Sequence, residues 1–317
     1  MALLEAKNLK KYFNIGKNQN VHAVDDISLS IEEGEIIGLV GESGSGKSTF
    51  GRTLCGLWDK TDGEVFFDGE KLPNNYSAKD YKKFSKQIQM IFQDPYSSLN
   101  PRMTVKEIIG EGLKLHEGLN DKQVTERVSD WLRRVGLEPD HMSRYPHEFS
   151  GGQRQRIGIA RALIMEPKFV VCDEPISALD VSVQAQVINL LEEIKNSLGL
   201  TLLFIAHDLS MVRYVSDRMA VMYLGAMVEL GPTNDVYFRP KHPYTQLLVQ
   251  SNPEPDPENE RQRASTPIKG EIPSPINIGE GCRFSGRCPH ATEQCHKETP
   301  KWQEVAEGHF TACHIYT

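Results

Sequence analysis

The sequence predicts an α/β domain on a mostly parallel sheet, interrupted by a helical insertion and followed by a small cysteine-bearing appendage. Three observations carry this expectation. Short apolar runs recur at residues 35–40, 87–92, 168–172, 201–206 and 219–223, separated by longer amphipathic stretches such as 183–198. Strands that alternate with helices imply a parallel sheet covered on both faces. Between residues 105 and 136 the alternation stops, and Val105, Ile108, Ile109, Leu113, Val124, Val128 and Leu132 recur at helical spacing. At Asn252 the composition shifts: six prolines fall in the thirty residues 252–281, about four times the average of roughly 5%. Such a stretch reads as an extended linker.

The bulk properties agree. The chain has 317 residues, 39% hydrophobic and 25% charged, which excludes a mostly disordered, collagen-like or coiled-coil chain. The formal net charge of −7 argues against a dedicated nucleic-acid binder. Apolar stretches such as residues 200–206, broken by Thr201, fall far short of the ~20 residues that span a bilayer. The first eleven residues mix charged and apolar side chains, so no secretory signal is expected.

Taken in order, the first strand with chemistry behind it is 36–40. It leads into Gly41-Glu42-Ser43-Gly44-Ser45-Gly46-Lys47-Ser48, with a helix expected from Thr49 to Leu57. This is the G-x-x-x-x-G-K-[ST] pattern in the strand–loop–helix context it requires. The glycines let successive N–H groups face phosphate oxygens, and the helix N-terminus adds partial positive charge. Lys47 adds a full charge for the β- and γ-phosphates, and Ser48 offers a hydroxyl to Mg²⁺. A glycine-rich turn before a helix is the bland alternative. The strand ending at Cys172 runs into Asp173 and Glu174. Asp173 is placed to hold Mg²⁺ through water and Glu174 to orient the attacking water, a small set sufficient for phosphoryl transfer. Two acids closing a strand are otherwise a solvated turn. Cys172 is expected to pack as a small hydrophobe.

Ser150-Gly151-Gly152-Gln153-Arg154 stands before an expected helix at 155–165. It resembles the signature motif of the ATP-binding cassette (ABC) family. The resemblance implies that this segment binds the γ-phosphate of ATP held by an opposite subunit, so that two chains sandwich two nucleotides head to tail. Other segments match the family in order. Gln93 resembles the Q-loop residue, which the resemblance adds to Ser48 and Asp173 in the Mg²⁺ set, Ser177-Ala178-Leu179-Asp180 the D-loop, and His207 the switch histidine that contacts the γ-phosphate. Phe13, with Tyr12 as the alternative, resembles the aromatic that stacks on adenine. The family implies a RecA-like core with an antiparallel β portion over residues 1–250, and a helical subdomain at about 96–165. ATP and Mg²⁺ are the implied cofactors.

Further segments resemble the oligopeptide/dipeptide importer branch, which includes nickel and glutathione importers: the run 93–102, the run 174–189, His242-Pro243-Tyr244-Thr245, Gly270-Glu271-Ile272-Pro273-Ser274-Pro275 and Gly281-Cys282-Arg283-Phe284. The branch implies a motor subunit at the cytoplasmic face of the membrane. Its implied partners are a second ATPase, usually a different chain, two membrane permeases and an extracellular peptide-binding protein. A soluble cassette protein of ribosomes or DNA repair is the competing class; those carry paired cassettes or large coiled coils that are lacking here. A regulatory iron–sulfur protein with a vestigial cassette is a third, opposed by intact Glu174 and His207.

Residues 282–317 carry Cys282, Cys288, Cys295 and Cys313, spaced C-x5-C-x6-C-x17-C. Disulfides require an oxidising compartment. A four-thiolate zinc site normally shows a tight C-x(2–4)-C pair, and an iron–sulfur cluster tolerates wider spacing. Free thiols are the fourth reading. The importer branch implies a [4Fe–4S] cluster here.

Overall fold

The structure, a computed structural model, describes residues 2–177, 179–251 and 273–316. Most of the proline-rich linker expected at 251–281 lies outside the described residues, as does Ala178.

Among the described residues, twelve strands form two sheets. The smaller is antiparallel, in the order β2-β1-β4-β5, from β1 (Ala2–Gly16), β2 (Gln19–Glu32), β4 (Asp62–Phe67) and β5 (Glu70–Lys71). The larger has eight strands: β3 (Ile36–Val40), β6 (Ile88–Ile91), β7 (Phe169–Asp173), β8 (Thr201–Ile205), β9 (Arg218–Tyr223), β10 (Ala226–Pro232), β11 (Trp302–Ala306) and β12 (His309–Ala312). Their order is β11-β12-β10-β9-β3-β8-β7-β6. The five strands from β9 to β6 pair in parallel, and β10, β12 and β11 extend the edge antiparallel.

Successive side chains of a strand point to opposite faces, so a parallel strand must be apolar throughout to feed two cores. β8 shows this directly. Leu202 and Phe204 enter one core with the helical subdomain, while Leu203 and Ile205 enter the other with the antiparallel sheet. In β7, Val170 and Cys172 take the first side, Phe169 and Val171 the second. Each such buried Val, Leu, Ile or Phe side chain contributes ~1.5–3 kcal/mol. Cys172 is fully buried, and that burial pushes its thiol up to about 12.

The insertion forms two helices, Val105–Glu117 and Asp121–Arg134. Thr104 with Glu107 and Asn120 with Gln123 close capping boxes at their starts. Val105, Ile108, Ile109 and Leu113 meet Val124, Val128, Trp131 and Leu132 in the core. A Cβ on Gly110 would stand 2.5 Å from Val124 Cγ1, so the helices cross closely there.

The sequence sets the cysteine segment apart as a separate module; the structure joins it to the main sheet. β12 pairs with β10 through Glu229–Thr311 and Leu230–Phe310. The wholly buried Glu229 accepts hydrogen bonds from Lys241 N (2.7 Å) and His242 N (2.9 Å), and its carboxylate lies 2.7 Å from His309 Nε2. The segment just before the cysteines also lies along the β1–β2 hairpin, with His22 N donating to Pro275 O at 3.0 Å.

Candidate active site

Chemistry-bearing residues gather where the parallel strands end. β3 delivers the loop 41–48 to the helix Lys47–Leu54. Gly41 has φ +151° and Gly46 φ +102°, and a Cβ would lie 2.2 Å from Met222 O and 2.0 Å from Ala23 O respectively. Both obstacles are backbone, so only glycine fits. Gly46 caps the helix with no side-chain hydrogen bond, which leaves the first-turn N–H groups without a side-chain acceptor. Such a terminus favours an anion. The Ser45 hydroxyl is buried without a partner. Lys47 is buried, and its Nζ donates to Gly41 O (2.7 Å) and Glu42 O (3.0 Å). Burial lowers its pKa, opposed by the charges of Glu174, Asp173 and Glu42.

Ser48 Oγ donates to Asp173 Oδ1 at 2.6 Å. Asp173, last residue of β7, is wholly buried; its Oδ2 has no hydrogen-bond partner, and Arg52 Nη2 lies 3.6 Å away. Desolvation pushes this carboxyl up, opposed by the Ser48 hydrogen bond and Arg52. An all-oxygen set with a buried carboxylate oxygen that accepts no hydrogen bond suits a hard divalent cation, so these residues fit Mg²⁺.

Glu174 sits at φ +44°, a left-handed conformation costly for a side chain with a Cβ. Its N–H donates to Ile205 O at 3.0 Å. Its Oε2 accepts from Gln93 Nε2 at 2.7 Å and lies 3.7 Å from His207 Nδ1. The ends of β6, β7 and β8 thus bring Gln93, Glu174 and His207 together.

Ser150 caps the helix Gly151–Leu163 in a box with Gln153. A Cβ on Gly152 would stand 2.6 Å from Val183 Cγ1, so this helix start packs on the helix Val181–Leu198. Among the described residues no hydrogen bond or ion pair links Ser150, Gly151, Gly152 or Gln153 to the loop 41–48 of the same chain. Asp180 precedes the helix Val181–Leu198 and caps it with no side-chain bond. Tyr12 stacks on His22 with centroids 4.1 Å apart, and its hydroxyl donates to Asp25. Phe13 meets Trp58 edge-on at 5.3 Å, with Lys11 Nζ 4.9 Å from its ring centroid.

Sequence reasoning missed a second set of contacts on the loop. Arg287 donates from both terminal nitrogens to the Glu42 carboxylate, at 2.8 and 2.9 Å. The Tyr244 hydroxyl accepts from Glu42 N at 2.8 Å. Arg283 donates to Leu224 O and to Asp25. Arg287 and Glu42 lie 245 positions apart, so no local spacing pattern points to the pair.

Cys282, Cys288, Cys295 and Cys313 line one cavity of about 140 Å³, together with His242, His290 and His314. All are free thiols, and burial pushes Cys282 up to about 11. Among the described residues no group of three or more His, Cys, Asp or Glu side chains is arranged to hold a metal ion. The expectation of a metal or cluster site therefore finds four convergent thiols without a formed ligand set. Also among the described residues, no helix is long and apolar enough to cross a membrane.

Comparison with known proteins adds the context. Residues 24–177 match the family described as ABC transporter, and residues 228–295 match the oligopeptide/dipeptide transporter, C-terminal region. The chain is 50% identical over 321 residues to the oligopeptide transport ATP-binding protein AppF of Bacillus subtilis, covering 99% of this chain and 98% of that one. It is 51% identical over 317 residues to the oligopeptide transport ATP-binding protein OppF of Escherichia coli, covering 97% and 93%. Among solved structures it is similar to the ATP-binding cassette MJ0796, a dimer in a post-hydrolysis state bound to ADP and Pi, at 28% identity and TM-score 0.67 over 73% of this chain and 98% of that one.

Proposed function

We propose, from the premise that this chain belongs to the ABC transporter family in its oligopeptide transport branch, that it is the ATP-hydrolysing motor subunit of a peptide importer. The observation that carries the reading is the convergence of Lys47, Ser48, Asp173, Gln93, Glu174 and His207 at neighbouring strand ends, in a chain that also matches the peptide-transporter C-terminal region.

Phosphoryl transfer needs positioning and charge neutralisation more than covalent chemistry. The amides of 41–48, with Thr49 next on the helix, cradle the phosphates, and Lys47 exchanges its carbonyl partners for phosphate oxygens. Ser48 and Asp173 hold Mg²⁺, which neutralises phosphate charge when bound. Glu174 orients the attacking water; its left-handed backbone and the Gln93 amide fix the carboxylate. His207, largely exposed, meets the γ-phosphate, and Gln93 joins that centre to the helical subdomain. Phe13 takes the adenine, because Tyr12 is tied to His22 and Asp25. The solvent-facing start of the helix Gly151–Leu163 makes no bond to its own phosphate loop, which supports its use on ATP held by a partner ATPase, with Asp180 at that interface. One chain then supplies half of each composite site and hydrolyses ATP poorly alone.

The working assembly pairs this chain with a second ATPase beneath two membrane permeases, at the cytoplasmic face, with peptide delivered by an extracellular binding protein. The cysteine segment holds a [4Fe–4S] cluster in this reading. A four-iron cluster takes four thiolates and tolerates wide, irregular spacing, and four thiols around one cavity support it.

Reconstitution with the permeases, partner ATPase and binding protein tests the function. ATP-dependent uptake of labelled peptide is the expected result. Uptake of nickel or glutathione without peptide would overturn the assigned cargo, and no ATP-dependent uptake would overturn the motor.

A further inference from the structure

We infer that Arg287 is a positioning residue of the nucleotide site, so that the cysteine segment completes the phosphate loop of its own chain. The inference rests on the reading that residues 41–48 bind ATP phosphates, and it goes beyond that reading by adding a residue from the far end of the chain.

Glu42 poses the problem that Arg287 solves. It is the second residue of a loop whose task is to surround an anion, and a carboxylate there repels phosphate. The structure holds every polar part of Glu42 away from that task. Its carboxylate takes both terminal nitrogens of Arg287, its N–H donates to the Tyr244 hydroxyl, and its carbonyl accepts from Lys47. The Arg287 side chain is 6% exposed and that of Glu42 20%, so solvent and salt screen the pair weakly. A two-pronged guanidinium–carboxylate pair also fixes geometry, which a single point charge does not.

Arg287 is itself anchored. Its Nη1 lies 3.2 Å from the Tyr223 hydroxyl, and the rings of Tyr223, Tyr244 and Phe284 pack with centroids 4.6 to 5.3 Å apart. A second arginine of the same segment, Arg283, reaches Asp25, which also receives the Tyr12 hydroxyl. Both clamps lie between Cys282 and Cys288, two of the four thiols around the cavity. The segment between these cysteines therefore grips the phosphate loop with one arginine and the first antiparallel strands with the other.

Neutralisation and scaffolding make different predictions, and a double-variant cycle on the full chain separates them. MgATP and MgADP binding is titrated for the wild type, R287M, E42Q and E42Q/R287M. R287M is expected to weaken MgATP binding about tenfold or more, and MgADP less, because the exposed Glu42 charge acts most on the more highly charged ligand. E42Q, which leaves the guanidinium unopposed, tightens MgATP binding. E42Q/R287M recovers affinity to within a few-fold of wild type. Should R287M fail to fold, the double variant and R287K carry the comparison: R287K keeps the charge and most of the affinity. Wild-type affinity in R287M, or a double variant as weak as R287M, would overturn the inference. A wild-type chain that binds no MgATP would instead overturn the nucleotide reading beneath it.

Discussion

The Ser48 hydroxyl donates a 2.6 Å hydrogen bond to Asp173, whose other carboxylate oxygen is buried with no hydrogen-bond partner. Two oxygens from elements 125 positions apart in sequence meet here. A buried, half-satisfied carboxylate is costly to keep unless a cation completes it. S48A removes one oxygen and leaves the Asp173 carboxylate with no hydrogen bond, only the Arg52 guanidinium 3.6 Å away. The expected outcome is a rise in the Mg²⁺ concentration needed for half-maximal ATP hydrolysis, by about tenfold or more, read from a magnesium titration of the assembled transporter.

Lys47 is held on the carbonyls of Gly41 and Glu42, within reach of any phosphate on the loop. A charge-assisted hydrogen bond contributes ~1.5–3 kcal/mol, or about ten- to a hundredfold in affinity. K47A is expected to lose nucleotide affinity by that factor and to lower the thermal transition modestly, because this buried side chain is the donor to two loop carbonyls. Nucleotide titration beside a melting curve checks both.

Much of the fold around this site was legible in the sequence, and the reasons are physical. Strands buried on both faces read as unbroken apolar runs, so β3, β6, β7, β8 and β9 fall within one or two residues of the expected ranges. The helix after the phosphate loop was expected at 49–57; it spans Lys47–Leu54, because the chain turns left-handed at Gly56. The helix after the signature residues starts at Gly151, earlier than expected, because Ser150 and Gln153 cap it there. β1 left no clear pattern, since register shifts against β2 near Leu9 and Lys11 break its alternation. The hairpin β11–β12 was not legible either, with exposed residues alternating along β11. Nor was Arg287 on Glu42, because two charges brought together only by the finished fold carry no local signal.

The four cysteines yield a composition measurement. Protein purified without oxygen is expected to be brown and to hold about four irons per chain. Replacing Cys288 with serine should abolish the colour. Colourless protein with one zinc per chain contradicts the cluster.

His242 is buried, and its Nδ1 accepts from Tyr244 N at 3.0 Å. Burial lowers it from 6.5 to about 4, opposed by the Glu229 charge. The unfolded chain therefore binds a proton between pH 6.5 and 4 that the folded chain refuses. Stability from this group is full above pH 6.5 and falls as the pH drops, by up to about 3 kcal/mol. Urea unfolding from pH 7 to 4 is expected to show that decline, and H242Q, which keeps an acceptor but does not titrate, to flatten it.

The central claim is that Glu174, held by Gln93 beside His207, drives ATP hydrolysis in a transport motor. ATP turnover by the assembled transporter carrying E174Q tests it most directly. Retained MgATP binding with hydrolysis reduced about a hundredfold or more is the predicted result; hydrolysis at the wild-type rate would contradict the account.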